Sequence, residues 1–493
     1  MLERFFHLKE NGTTVRTELL AGLTTFLTMA YIIVVQPAVL SGRFFLGGIH
    51  TGMDFGAVMT ATCLAAAIAT TIMGLYGRYP IAQAPGMGEN FFFVLSALPA
   101  AAAVITAGQH DGSIAHGSTS PWQIGLGVIF YSGVLFALLS LLGVREVLLD
   151  AISPSMRAAI AGGIGLFIAF IGLQNAGLVV ANPGTLVAMS RQFASPDLIV
   201  FFFGLLATVV FYVLRFRGAI VLGMVAAMLL SLALVHGLPR VTSLAYSDVV
   251  AKSKLETRFA AAEKTVRREG IVSMPPSITP TFLKMDLVHS LSRPMLPLVL
   301  IFLFMVLFDT LGTLIGVTEQ AGLIKDGRLP RARQALLSDA IGTLAGAALG
   351  TSTVTSFVES AAGVEQGART GLAALSTAVL FLVALFFGPL VAMLGSYPPI
   401  TAPALVVVGA MMMRSAVKID WNNPAEAMPS FLILIGIPMT FSIADGLALG
   451  FIAYPLVKLF SGQGRDVKWL MYVMAVVLVA YFVFVRVPGT GAV

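Results

Sequence analysis

The chain has 493 residues, 57% of them hydrophobic and 11% charged, with a formal net charge of +6 and a mean hydropathy of +0.92. Apolar runs long enough to cross a hydrocarbon core of about 30 Å recur along its whole length, so it reads as an all-α polytopic membrane protein with no separate soluble domain. Basic residues are scattered over short loops instead of clustered on one face, which argues against nucleic acid as a partner, and the single Cys63 excludes an intramolecular disulfide.

In chain order, hydropathy predicts spans over 18–39, 55–77, 83–105, 122–143, 156–180, 196–214 and 218–237. The first has no A-x-A-like cleavage site behind it and reads as a retained span. A polar segment, 238–293, separates this series from a second over 294–320, 334–350, 352–365, 370–394, 399–413, 428–443 and 445–461. Seven and seven suggest a duplicated unit, 1–237 and 294–461, and an odd number per unit means inverted repeats. A cytoplasmic N-terminus puts nearly all short-loop Lys and Arg on the inside, leaving Arg43 and Arg191 opposite. Trp122, Trp421 and Trp469 fall at span edges, and all six histidines lie at ends or in loops, so neither a buried metal site nor a histidine proton relay is expected.

Two segments remain open. In the polar segment Leu255, Phe259, Ala262 and Val266 recur at helical spacing, which favours an amphipathic surface helix over a floppy linker. Within 462–493, the apolar run Trp469 to Val485 crosses the membrane, lies in the interface, or means that 428–461 is one kinked helix.

The third segment of each series breaks the hydrophobic pattern. Ile81 to Phe93 reads IAQAPGMGENFFF, and Gly350 to Gly371 reads GTSTVTSFVESAAGVEQGARTG. Lipid-facing helices do not tolerate such Gly, Pro, Ser, Thr and carboxylate content, so these stretches should be discontinuous helices lining a midplane site.

Glu359 is the leading candidate there, expected about two turns into a half-helix and able to accept two N–H groups from a base edge, with a structural carboxylate as the alternative. Thr353 and Thr355 supply hydroxyls beside it. Asp309 ends an unbroken apolar run next to Thr310, Gly312 and Thr313, which marks it as a site residue and proton carrier rather than helix-packing glue. Asp339 reads as a helix cap or domain latch before a direct ligand, and joins Asp309 and Glu359 as a candidate for proton coupling. Glu89 and Asn90 open the third span's helix, Gln36 offers an amide to a base, and Phe91 a ring for stacking, against packing as the ordinary role of Phe in a span.

The opening FFHLKENGTTVRTELLAGLTTFLTMAYIIVVQPAVL, then APGMG, FDTLGTLIGV, GTSTVTSFVESAAGVEQGARTGL and ITAPALVVVGAMMM with its following IDW, together resemble the azaguanine-type adenine/guanine/hypoxanthine permeases of the nucleobase transporter (xanthine/uracil permease) superfamily. The resemblance covers essentially the whole chain. It implies fourteen spans in two inverted seven-span repeats, core and gate domains, short extended segments before the third and tenth helices, and a homodimer through the gate helices. It further implies import of purine bases with protons across the plasma (inner) membrane, with no cofactor beside the proton gradient. Asp309 and Glu359 match the carboxylates that such permeases use for substrate and proton, and Asp339 matches a ninth-span Asp important there. Gln36 stands where the first span usually has Asn, and Glu89 where the third usually has Leu, a change that bears on base preference and proton stoichiometry.

The expectation is therefore a proton-coupled purine importer, not an enzyme. H-E-x-x-H, G-x-x-x-x-G-K-[ST] and G-x-S-x-G are all absent from the sequence. The rival is an anion exchanger of the same architecture, disfavoured because the expected cavity holds Glu359, Asp309 and Glu89 and no Lys or Arg.

Overall fold

A computed structural model describes residues 2–45, 49–142, 152–237, 253–323 and 330–480. After a short α1 (Leu2–Phe6), the first series runs α2 (Val15–Met29) with α3 (Ile32–Leu40), then α4 (Phe55–Ile72). It continues with β1 (Gln83–Pro85) leading into α5 (Met87–Phe92) and α6 (Leu98–His110), then α7 (Pro121–Leu142) and α8 (Pro154–Asn175). A hairpin of β2 (Val179–Asn182) and β3 (Leu186–Met189), α9 (Pro196–Val213) and α10 (Ala219–Gly237) complete it, and α11 (Ala260–Glu269) lies between the series.

The second series repeats the pattern. It comprises α12 (Leu296–Gln320), α13 (Ala332–Leu349), β4 (Val354–Ser356) with α14 (Ser360–Glu365), and α15 (Gly371–Ala384) with α16 (Gly388–Ser396). Then follow α17 (Pro398–Met413), α18 (Pro424–Thr440), α19 (Ile443–Phe460) and α20 (Trp469–Ala480). Among the described residues, 10 helical stretches are long and apolar enough to cross a membrane.

Local chemistry sets the helix starts. Ser153, Ser195 and Asn423 each cap a helix whose next residue is proline, a residue that loses no hydrogen bond at that position. The helices sort into two bundles. α13 packs on α7 and α4, and α15 packs on α2 and α4, which gathers the first four segments of each series. α17 and α18 pack on α8, α9 pairs with α10, and α19 pairs with α18, which gathers the last three. Each bundle closes through glycine: a Cβ on Gly371 would lie 1.8 Å from the Gly74 carbonyl oxygen, and one on Gly409 2.4 Å from that of Gly165.

Several expectations change in detail. The fifth span ends at Asn175, because Gly177 adopts a φ of 77° and turns the chain into the β2–β3 hairpin. The tenth segment is mostly not helical: only Ser360–Glu365 forms a helix, after an extended β4. Glu359 is thus the residue before a 6-residue helix instead of two turns inside a half-helix. The predicted surface helix forms over Leu255–Glu269, with Leu255 and Phe259 buried. Phe441, at a φ of 54°, separates α18 from α19, which pack side by side, so 428–461 is not one kinked helix. α20 packs on α19, and residues 481–485 of the last apolar run lie outside the described residues.

Candidate functional site

The two broken segments meet. β1 and β4 pair antiparallel, with Gln83 opposite Ser356, Ala84 opposite Thr355 and Pro85 opposite Val354. Extended backbone at this depth needs partners, and side chains of neighbouring helices provide them. Thr70 accepts from Gln83 N–H at 2.9 Å, Thr343 accepts from Val354 N–H at 3.2 Å, and Ser360 accepts from Ala82 N–H at 3.0 Å.

Beside this crossing lies a cavity of about 410 Å³ between the two bundles. The first bundle lines it with Tyr31, Gly86 to Glu89, Met305, Asp309, Thr313, and Ser356 to Glu359; the second contributes residues of α8 and α17. Three expected carboxylates, Glu359, Asp309 and Glu89, therefore share one wall with Thr313. Tyr31 O–H donates to Glu359 Oε1 at 2.7 Å. Glu89 folds back over the turn before its helix: a Cβ on Gly86 would lie 2.2 Å from Glu89 Oε2, so a side chain there would have to displace the carboxylate. Ionised, these groups accept N–H donors; protonated, each also donates.

The other expected residues stand behind the wall, outside the cavity lining. Gln36 is buried and spends its amide N–H groups on Thr351 at 2.8 Å and Ser352 at 3.1 Å. Asn90 accepts from Ser352 O–H, and Phe91 packs edge-on against Phe44, Phe45 and Phe167. Thr353 and Thr355 are buried with hydroxyls that lack a well-formed hydrogen bond, although Thr355 stands beside Asp309. Asp339 is fully buried and accepts from Ser356 O–H at 3.0 and 3.2 Å, which ties β4 to α13.

One expectation is overturned: the cavity does hold cationic side chains, Arg157 from α8 and Arg414 and Lys418 from the one-turn extension of α17. In the sequence they fit the ordinary excess of basic residues at the inner ends of spans. Tyr31 was also missed, since a tyrosine inside AYIIVV reads as packing until its hydroxyl is seen on a carboxylate.

Residues 16–449 match the Permease family (Xan_ur_permease). The chain belongs to that family. The guanine/hypoxanthine permease PbuG of Bacillus subtilis is 41% identical over 490 residues, covering 98% of this chain and 100% of the relative. The adenine permease AdeP of Escherichia coli is 36% identical, covering 98% and 96%. Among solved structures, the transmembrane domain of a cyanobacterial bicarbonate transporter, BicA, aligns with a TM-score of 0.58 at 14% identity, covering 87% of this chain and 97% of that one. The murine anion transporter Slc26a9 in its inward-facing state gives a TM-score of 0.58 at 12% identity, covering 90% and 68%. At such identities the likeness is one of fold, the inverted-repeat transporter fold. This permease is thus an integral membrane transporter and not an enzyme.

Proposed function

We propose that this permease imports purine nucleobases with protons across the plasma (inner) membrane, its N-terminus in the cytoplasm, by alternating access between the two bundles. The observation that carries the reading is Glu359, positioned by Tyr31 and facing the same cavity as Asp309. Tyr31 holds one carboxylate oxygen, and the remaining lone pairs suit the N–H edge of a purine. Glu89 and Thr313 add an acceptor and a hydroxyl on the same wall. A proton taken up by Asp309 or Glu359 lowers the charge in the cavity before the bundles move past the site. Asp339 acts at one remove, through Ser356, by holding β4 in place. Relatives named for guanine, hypoxanthine and adenine support the substrate class.

Arg157, Arg414 and Lys418, with the anion-transporting fold neighbours, favour a second reading as an anion exchanger. Uptake of labelled guanine and hypoxanthine in cells lacking their own purine importers separates the two. Accumulation should collapse with a protonophore and be competed by purines but not by bicarbonate or sulfate. Uptake indifferent to the protonophore and to external pH would end the proton-coupled reading. Bicarbonate flux without purine flux would establish the exchanger.

A further inference from the structure

The cavity is polarised along its length. Met305 and Ile164 both approach the position a Cβ on Gly88 would take, at 3.8 and 2.7 Å, so Ile164 marks the carboxylate end, next to Glu89. From there α8 runs back to Arg157, and α12 runs from Asp309 to Gly316, seven residues in each case, or roughly 10 Å at the helical rise. α17 enters opposite Gly165, where a Cβ would lie 2.6 Å from Met412, and its extension leaves beside Ser155, whose hydroxyl accepts from Asp420 N–H at 3.1 Å. Arg414, two residues past Met412, and Lys418, one turn further toward Asp420, therefore follow each other along the extension of α17, with Lys418 nearest the level of Arg157.

Between the carboxylates and these cations the lining carries no charge. Ile160, Ala161, Met411 and Met412 form one side, and Gly312 and Gly316 leave the other open, with nothing within 4 Å of a Cβ at either glycine. Among the described residues, Arg414 and Lys418 have no carboxylate ion-pair partner, and the nearby Asp420 carboxylate accepts from Asn422 N–H. Basic residues at a span end ordinarily face headgroups. These line the space between the bundles.

A free base at Asp309 and Glu359 leaves the cationic end unused. We propose that the cavity also binds a purine nucleoside 5′-monophosphate, base at the carboxylates, ribose along the uncharged stretch, and phosphate at Arg414 and Lys418. The proposal rests on the purine reading above. Arg supplies paired donors and Lys a mobile charge, a combination suited to phosphate. Such a ligand spans both bundles and competes with the free base. It is the kind of product formed when an imported base is joined to a phosphoribosyl group, so it would throttle import as that product accumulates.

The test is competition for labelled guanine on purified protein in detergent, with unlabelled guanine, guanosine and guanosine 5′-monophosphate. The monophosphate should compete at least tenfold better than guanosine. Arg414→Gln combined with Lys418→Gln should erase that advantage while guanine affinity moves less than about twofold, and Arg414→Lys alone should retain most of it. Guanine binding with the monophosphate no better than guanosine, or an advantage that survives the double substitution, overturns this proposal alone. Absence of any guanine binding that unlabelled guanine displaces overturns the purine reading as well.

Discussion

Glu18 and Glu359 are both carboxylates buried in membrane-spanning segments, and each joins the first series to the second, yet their surroundings assign them opposite work. Glu18 Oε1 accepts from Arg369 N–H at 2.8 Å, while Oε2 accepts from Thr370 and Ala373 N–H at 3.3 and 3.1 Å. It thereby caps the start of α15, where unpaired amides and the positive end of the helix dipole favour a negative charge. Glu359 receives one side-chain donor, Tyr31, and otherwise faces a cavity. The lesson is that an intramembrane carboxylate is read by the lone pairs its neighbours leave unused.

The sharpest way to break this contrast is to neutralise each in turn. Glu359→Gln should lower guanine or hypoxanthine uptake by about a hundredfold or more, the scale at which a positioned proton-transfer group acts. Its fluorescence-monitored melting temperature should stay close to that of the unsubstituted protein. Glu18→Gln should do the reverse. It weakens charge-assisted bonds to buried amides at a cost of about 2–3 kcal/mol, visible as a lowered melting temperature, while the folded fraction keeps its affinity for base. Loss of transport by Glu18→Gln at full stability would void the comparison.

The contrast also marks how far the sequence could be read. Spans were legible because hydropathy is a sum over some twenty residues and tolerates local error. The two broken segments were legible because Gly, Pro, Ser and Thr at membrane depth demand a polar lining. What could not be read was pairing across the chain. Glu18 at a span edge looks solvated until residues 369–373 are folded against it. Arg157, Arg414 and Lys418 satisfy the inside-charge pattern so well that nothing in their spacing points to a cavity. The misplacement of Glu359 has a local cause: residues 354–356 have hydrogen-bonding partners in β1 and Thr343, which no helical periodicity reveals.

A smaller effect sharpens the Glu359 side. Tyr31→Phe removes one hydroxyl and keeps the ring, and hydrogen bonds to charged groups contribute about 1.5–3 kcal/mol. Uptake should fall by roughly tenfold, with a changed pH profile, because the lost donor discriminates between the two protonation states of Glu359. A tenfold fall at an unaltered profile would mean that Tyr31 shapes the cavity without touching proton coupling.

The smallest effect comes from a carboxylate that caps a turn outside the membrane. Burial pushes Asp286 upward, but the backbone N–H of His289 at 3.0 Å and its ring Nδ1 at 2.7 Å outweigh that and hold it below the usual aspartate range. A depressed value means the contribution is complete above the usual range and disappears as pH falls through the lower folded value. Because the group is partly solvated, the stability at stake is below about 1 kcal/mol. The melting temperatures of the unsubstituted protein and Asp286→Asn should therefore differ slightly at neutral pH and converge in acid. A gap that persists below the usual aspartate range would show that Asp286 acts through packing, so that a carboxylate's cap is not enough, even at the surface, to account for what Glu18 does inside.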